Sequence, residues 1–239
     1  MDSMTDKKVT VTVVIPAYNE EKLIPHALKS LEKQTIKPDE IIVADNNSTD
    51  STPSIARSYG ARVVPVKEQG YVFAFDQGTK AAKSEVIAML DADTVASPTW
   101  IETLHDIFSD PKVVGATGSI SIHPLSILST IKDFLYSAFL VVNFALGQPH
   151  MVGFNMAMRK SALEKIHGVN TVYIMGPDVE IGLRLKKVGK VVYRHDMNVI
   201  PSMRRVDKHP FKTFEEYSKS YIYTIWLRKP AMVKQSIIR

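Results

Sequence analysis

Cysteine is absent from this chain of 239 residues. Disulfide bonds and thiolate metal sites are therefore excluded, and any metal must be held by oxygen or imidazole ligands. The first eight residues are charged and lack the apolar stretch of a secretory signal. The lack of cysteine fits a reducing compartment, and the lack of a signal segment leads us to expect a protein of the cytoplasm or of the cytoplasmic face of a membrane.

Long apolar runs are scarce as well. The apolar segment Phe134–Leu146 has 13 residues without a charge, whereas a membrane-spanning helix needs about 20. We expect this segment in the core, in an acceptor groove or in an interfacial helix. The aromatic and basic residues of Tyr221–Lys229 suit either a membrane interface or a helix packed on the core.

Charge is unevenly distributed along the chain. The net charge is +5, but residues 184–239 hold 14 Lys and Arg against 4 Asp and Glu. This asymmetry predicts an anionic partner such as a phosphate group or an anionic membrane surface, or else a solvated basic helix face. We do not expect a nucleic acid partner, because only the basic charge favours one.

Strand and helix patterns alternate through the first half of the chain, which predicts a parallel sheet covered by helices. The strands are Val9–Ile15, Glu40–Ala44, Ala61–Val66 and Val86–Leu90, and the helices are Glu20–Lys33, Asp50–Tyr59 and Tyr71–Lys83. The pattern changes after about Val114. There the predicted strands are Gly115–Ile122, Met151–Met158, Val191–Tyr193 and Asn198–Ile200, and the helices are Ser161–Ile166, Pro177–Val188 and Phe211–Leu227.

Three of the early strands end in polar loops: Pro16–Glu20, Asp45–Ser48 and Asp91–Asp93. Ligands of open α/β sheets bind beyond the carboxyl ends of the strands, so these loops should converge on one ligand. Asp91 and Asp93 point to the same side if the strand continues through them, and they repel each other unless a cation lies between them. Mg²⁺ and Mn²⁺ prefer such ligands and also bind phosphate oxygens. An Asp-x-Asp pair alone is a weak signal, since turns and helix caps use the same residues.

Several motifs together resemble family 2 glycosyltransferases, and the resemblance extends from roughly Val9 to Arg205. The matching segments are Val13–Glu20, Glu40–Asp50, Gly78 with Ala82, Ala88–Asp93, Gly153–Ala157, Gly168, and Asp178 with Glu180, Arg184 and Leu185. The resemblance implies an α/β protein with the GT-A fold, a mostly parallel Rossmann-like sheet with a smaller acceptor-side region. It also implies a single catalytic domain: a nucleotide-sugar half (about 9–115), an acceptor half (about 116–205) and a basic helical segment (about 206–239) that could lie near a membrane.

The resemblance implies a role for each matching residue. Pro16, Tyr18 and Glu20 would line the nucleoside pocket, Asp45 would contact the base, Asp91 would approach the ribose or the metal, Asp93 would be the principal ligand of Mn²⁺ or Mg²⁺, and Asp178 would be the general base. The implied reaction is an inverting single displacement that moves a hexose from a nucleotide sugar to a hydroxyl or lipid-phosphate acceptor. GDP-mannose is favoured over UDP-glucose as donor by analogy with polyprenyl-phosphate mannosyltransferases.

The chain departs from the family pattern at two places. Phe75-Asp76 stands where many members have Arg-Asn, so donor-phosphate binding could instead fall to Arg204 and Arg205, unless these belong to a solvated loop. Pro177 replaces an acidic residue.

Several candidate residues also have a simpler explanation. Asp178 and Glu180 could merely complement the helix dipole. Glu180 lies about 200° around the helix from Asp178, so the two should not share a task. His195 and His209 could complete a metal shell or touch the acceptor, whereas we expect His123 and His150 to be structural.

Other functions fit the sequence less well. A sugar nucleotidyltransferase needs a glycine- and arginine-rich loop after the first strand, and a dinucleotide-dependent dehydrogenase needs G-x-G-x-x-G there. The segment Pro16–Glu20 provides neither. A non-catalytic module that only binds nucleotide sugar is disfavoured because Asp91, Asp93 and Asp178 are all present.

Overall fold

The computed structural model describes residues 8–230, apart from the side chains of Arg205, Val206, Pro210 and Phe214. The strands are β1 (Val11–Ala17), β2 (Glu40–Asp45), β3 (Arg62–Pro65), β4 (Val86–Leu90), β5 (Thr94–Ala96), β6 (Val113–Ile120), β7 (Asn155–Arg159) and β8 (Lys190–Pro201). The helices are α1 (Ile24–Glu32), α2 (Thr52–Ser58), α3 (Tyr71–Ala81), α4 (Trp100–Ser109), α5 (Ile127–Ala145), α6 (Lys160–Lys165), α7 (Pro177–Leu185), α8 (Arg204–Lys208) and α9 (Pro210–Ile225).

The strands form one sheet in the order β3-β2-β1-β4-β7-β6-β8-β5. Pairing is parallel from β3 to β4 and between β6 and β8, and antiparallel where β7 joins β4 to β6 and where β5 joins β8. The expected α/β architecture with a mostly parallel sheet is confirmed.

Helices cover both faces of the sheet, which explains the unbroken apolar run of β1. Val13 and Ile15 belong to the core on one face, whereas Val14 belongs to the core on the other. Alternate residues of a strand point to opposite faces. All three are fully buried, so neither face of β1 needs polar residues.

The ends of the first two elements differ from the sequence prediction. The first strand does not stop before Pro16 but continues through it, with Pro16 in register with Ala44 of β2. Pairing of β1 with β4 ends at Val14, so Pro16 lies where the strand has one neighbour and its missing N–H costs little. The first helix begins at Ile24 rather than Glu20, with Pro25 in its first turn.

The two short strands predicted near Val191 and Asn198 are parts of one strand, β8. The residues between them form a bulge, because the pairing with β6 jumps from Gly118–Arg194 to Ile120–Val199. A Cβ atom on Gly118 would lie 1.7 Å from the carbonyl oxygen of Met197, so the bulge requires glycine there. The sequence prediction also missed β5, α4 and α8.

The apolar segment Phe134–Leu146 belongs almost entirely to the 19-residue helix α5. By length and composition this helix could cross a membrane. Only 17% of its most apolar 18-residue stretch is buried inside the protein. The expectation that the segment could be core is therefore wrong.

Candidate active site

The loops after β1 and β2 are held together by hydrogen bonds. The Asn19 amide donates to Ser48 Oγ (3.0 Å), and the Thr49 amide donates to Asn19 Oδ1 (2.8 Å). The Glu20 amide donates to Thr52 Oγ1 (2.8 Å). These bonds bring the two polar loops together, as the sequence pattern predicted.

Asp45 and Asn46, at the end of β2, form hydrogen bonds with the neighbouring loops. The Ser48 amide approaches Asp45 Oδ1 at 3.4 Å. The buried side chain of Asn46 donates to the carbonyl of Glu68 (2.6 Å) and accepts from the amide of Gly70 (2.6 Å). Asn46 thus positions the loop before α3, a role that sequence reasoning missed although the residue lay in a matching motif. Of the other predicted nucleotide-binding residues in these loops, Pro16 is buried and Tyr18 is half-buried.

Asp91 and Asp93 follow β4 directly, and both are half-buried while Ala92 between them is buried. Burial raises the pKa of Asp91 well above its usual value, and the charges of Asp93, Asp178 and Glu20 raise it further. Burial also raises the pKa of Asp93. Carboxylates from three separate parts of the sequence therefore share one electrostatic environment.

Among the described side chains, Arg204 brings a positive charge into contact with this cluster. Its Nη2 donates to Glu20 and lies 3.2 Å from Asp93 Oδ2. Burial lowers the pKa of Arg204, but the hydrogen bond that Arg204 donates to Glu20 and the charge of Asp93 outweigh that effect and raise it. The Ser202 amide donates to the Asp93 carbonyl (3.1 Å), which brings Arg204 to this edge. The side chain of Arg205 lies outside the described part of the structure.

Asp178 enters the site from the first turn of α7. Gly176 caps this helix with a left-handed backbone (φ 71°), and Pro177 opens it. The Gly153 amide donates to Asp178 Oδ2 (2.9 Å). Burial raises the pKa of Asp178, whereas the charge of His150 and the hydrogen bonds donated by the backbone N–H groups of Val179 and Gly153 lower it.

Three aromatic side chains interact electrostatically with Asp178; sequence reasoning missed Tyr71 and Tyr136 and gave His150 only a structural role. The Tyr71 hydroxyl lies 3.4 Å from the Gly153 carbonyl oxygen, and burial, with the charges of Asp91 and Asp178, raises its pKa well above the usual value. Burial and the Asp178 charge likewise raise the pKa of Tyr136. His150, expected to be structural, stacks on Tyr221 at a ring distance of 5.7 Å, and burial lowers its pKa against the opposing charge of Asp178.

Glu180 does not take part in the cluster. It is buried and forms a two-point ion pair with Arg184 (2.6 and 2.7 Å), in keeping with its expected separation from Asp178. At the position of the family's Arg-Asn pair, Phe75 is fully buried and Asp76 pairs with Lys80 (2.6 Å).

The remaining histidine candidates lie apart from these contacts. The side chains of His195 and His209 are exposed. His123 lines a separate cavity that also includes Lys132 and Asp207.

Among residues 8–230, no group of three or more His, Cys, Asp or Glu side chains is arranged as a ready-made metal site. The donor chemistry nevertheless suits a divalent cation bound together with a diphosphate. Asp91 and Asp93 offer hard oxygen ligands. Burial raises the pKa of both, and around Asp91 the charges of neighbouring carboxylates raise it further than Arg204 lowers it.

We expect Asp91→Asn to stabilise the metal-free protein. A carboxyl group whose pKa is raised on folding binds more protons folded than unfolded, so its contribution to stability is lost as pH rises through the folded-state pKa. At pH 7 the substitution should raise the melting temperature by about 2–4 °C for each kcal/mol of relieved repulsion. Differential scanning calorimetry with chelator measures this, and the gain should shrink as pH falls through the raised folded-state pKa and vanish near the unfolded-state pKa of about 4. An unchanged or lower melting temperature at pH 7 would show that the ionised Asp91 carboxylate does not destabilise the fold.

Comparison with known proteins places most of the chain in one family. The family model described as Glycosyl transferase family 2 matches residues 12–167. A 4,4'-diaponeurosporenoate glycosyltransferase of Staphylococcus aureus (strain bovine RF122 / ET3-1) is 39% identical over 125 residues, covering 49% of this chain and 32% of that protein. The same enzyme of strain USA300 is 40% identical over 124 residues with the same coverage. The matched segment thus spans about a third of the length of these relatives.

Solved structures share the fold at lower sequence identity. A mannosyltransferase from Pyrobaculum calidifontis, determined in complex with GDP-Man and Mn²⁺, superposes with a TM-score of 0.68 at 22% identity, covering 90% of this chain and 62% of that one. Residues 1–349 of TarS from S. aureus give a TM-score of 0.66 at 16% identity, covering 92% and 73%. A complex of TarS 1–349 with UDP-GlcNAc gives 0.62 at 17%, covering 80% and 58%.

Proposed function

The chain belongs to glycosyl transferase family 2, and on that basis we propose that it is an inverting, metal-dependent hexosyltransferase acting by single displacement. The donor is a nucleotide sugar, and the acceptor is a hydroxyl or a lipid phosphate. The observation that carries this proposal is the electrostatic coupling of the two carboxylates: the charge of Asp178 raises the pKa of Asp91, and the charges of both raise the pKa of Tyr71. The proposed base of the acceptor side thereby lies beside the proposed diphosphate site of the donor side.

The donor would be held by residues from the polar loops. Pro16, Tyr18 and Glu20 would line the nucleoside pocket, Asp45 would contact the base, and Asp91 the ribose or the metal. Asp93, together with Asp91, would hold Mn²⁺ or Mg²⁺. When bound, such an ion neutralises charge on a nucleoside diphosphate leaving group.

Arg204 would bind the donor diphosphate as well. In the structure its guanidinium is engaged with Glu20 and Asp93. If Asp93 held a metal ion, Arg204 would lose its contact with that carboxylate. Its guanidinium could then donate two hydrogen bonds to diphosphate oxygens. We assign Arg205 to the same task by sequence proximity.

Asp178 would take the proton from an acceptor hydroxyl. As that oxygen bonds to the anomeric carbon, the bond from this carbon to the diphosphate oxygen breaks, and its electrons leave with the nucleoside diphosphate. The raised pKa of Asp178 strengthens it as a base, while the Gly153 amide fixes the orientation of the carboxylate. No covalent enzyme intermediate is needed.

GDP-mannose is the donor we place first, by the resemblance to polyprenyl-phosphate mannosyltransferases, with UDP-glucose second. The structural neighbours were solved with GDP-Man and with UDP-GlcNAc, so donors carrying guanine and donors carrying uracil must both be tested. We place the reaction at the cytoplasmic face of a membrane, where a lipid-linked acceptor would be available.

The expected result is release of nucleoside diphosphate from one donor, dependent on metal. GDP-mannose, UDP-glucose and UDP-GlcNAc would each be incubated with the enzyme in Mn²⁺, in Mg²⁺ and in chelator, with and without a crude lipid extract as acceptor. Coupled detection of GDP or UDP, with retention or inversion read by NMR, gives the answer. Turnover that is equal in chelator, or a product with retained configuration, would overturn the proposed mechanism.

A further inference from the structure

Helix α5 turns much of its polar face toward the protein and most of its large apolar side chains toward the outside, the opposite of a helix that packs on a core. The side chains that face the protein include Ser129, Asp133 and Asn143, which recur at helical spacing along one side. Most of the large apolar side chains point away from the protein. With those of the flanking loops they are Leu125, Ile127, Leu128, Ile131, Phe134, Leu135, Phe139, Val141, Val142 and Leu146, each at least 41% exposed.

The inward face is fixed by specific contacts, so the helix cannot simply turn over. Asp133 accepts a hydrogen bond from the Ile122 amide (3.0 Å), and Asn143 accepts one from the Tyr221 hydroxyl. Leu140 is fully buried between them along the helix. The outward apolar face is therefore a built feature of the fold, and α5 stays against the domain rather than crossing a bilayer.

The exposed apolar surface continues onto α9. The ring of Phe139 lies 5.6 Å from that of Tyr221 on α9. Trp226, at the end of α9, is 76% exposed and is followed by the basic residues Arg228 and Lys229. We refer to residues 125–146 and 211–229 together as the apolar platform.

We propose that the apolar platform docks on the surface of a membrane that contains anionic lipids, with α5 lying in the plane of the interface. Three features favour a bilayer over another protein surface. The apolar face of α5 is about 28 Å long at 1.5 Å per residue and is rich in exposed aliphatic and aromatic residues. Trp226 and the neighbouring basic pair have the composition of membrane-interface anchors. On the α9 side of the platform, Lys212, Lys219, Arg228 and Lys229 outnumber Glu215 and Glu216, and this excess of positive charge complements anionic headgroups.

Docking on this side would also serve the catalytic centre. Tyr136 on the inner side of α5 shares the electrostatic environment of Asp178, so the platform and the catalytic carboxylate lie on opposite sides of one helix. A helix with its side chains is about 10–12 Å wide. A lipid-anchored acceptor could thus reach Asp178 past α5. Only this consequence rests on the proposed function; the docking itself does not.

Flotation of the full chain with vesicles tests the proposal. Wild type should float with vesicles of phosphatidylcholine and phosphatidylglycerol, and more weakly with phosphatidylcholine alone. Leu135→Glu and Phe134→Glu should each lower the partition coefficient about tenfold or more, because a charge replaces an inserted apolar side chain. Ser58→Glu adds the same charge on α2, beside the opposite edge of the sheet, and should float as wild type does.

Two further measurements separate the outcomes. Circular dichroism and thermal melting show whether each variant is folded, and calorimetric titration with the nucleotide sugar shows whether donor binding survives when docking fails. Sedimentation velocity without lipid shows whether the platform joins two copies of the chain. Flotation of Leu135→Glu and Phe134→Glu equal to wild type, absence of flotation by wild type, or a wild-type dimer that Leu135→Glu dissociates would each overturn the proposal.

Discussion

Replacing Asp93 by Asn is expected to weaken the metal-dependent binding of the nucleoside diphosphate by about a hundredfold or more. The substitution keeps the size of the side chain but removes the charge proposed to hold the cation. The Asp93 carboxylate is also the partner of Arg204 at 3.2 Å. Without it, Arg204 is freer to meet the diphosphate, so affinity measured in chelator should equal or exceed that of wild type. Isothermal titration of GDP and UDP with Mn²⁺ and with chelator measures both effects.

Asp106→Asn is the matched control for this experiment. Asp106 lies on α4 and pairs with Arg194 at the surface, so removing its charge should leave nucleotide binding in Mn²⁺ unchanged. If Asp93→Asn binds the nucleotide within about threefold of wild type in Mn²⁺, or if wild type itself ignores the metal, the assignment of the cation to Asp93 is wrong. A nucleotide-binding module without metal chemistry would then be the better description.

Replacing Asp178 by Asn should lower kcat by about 10²–10⁴, the usual contribution of a positioned general base. The affinity for the nucleotide sugar should stay within about threefold, because the proposed contacts to the donor come from other loops. Glu180→Gln provides a control on the same helix, since Glu180 pairs with Arg184 instead. Steady-state kinetics with a hydroxyl acceptor, with donor affinity measured separately, distinguishes loss of chemistry from loss of binding.

The pH dependence of kcat should follow the same carboxylate. Burial raises the pKa of Asp178, and only the ionised form can accept a proton. The wild-type rate should therefore fall as pH decreases through this raised pKa, whereas the residual rate of Asp178→Asn should lack that limb. A phosphate acceptor carries no proton to remove from its attacking oxygen. A loss of activity of Asp178→Asn on such an acceptor as large as its loss on a hydroxyl acceptor would therefore contradict the general-base role.

The first half of the site was largely predictable from local sequence. The run of apolar residues in Val86–Leu90 predicted a buried strand, and the structure has that strand with the same ends. The polar residues that follow the strands had to lie at one edge of a parallel sheet, and the hydrogen bonds between Asn19, Ser48 and Thr49 show that two of these loops do meet. The roles given to the individual residues remain predictions.

The partners of these residues could not be predicted in the same way. Arg204 reaches Glu20 across 184 positions of sequence, and it does so because β8 turns through a bulge and pairs with β5 next to Asp93. Because charged residues occupy the bulge, the sequence prediction divided β8 into two short strands. His150 was judged as an isolated histidine, and nothing in its neighbours signalled that Phe139 and Tyr221 would place it beside Asp178.

The sequence by itself determined the class of fold, the order of strands and helices in the first half, and the set of carboxylates available for chemistry. Local periodicity and residue type settle these, because they depend on burial within a few turns or strand residues. Only the tertiary structure decided that Arg204 neutralises part of the carboxylate cluster and that α5 turns its polar side inward. Periodicity shows that a helix has two faces, but the hydrogen bonds that Asp133 accepts from Ile122 and Asn143 accepts from Tyr221 decide which face meets the protein.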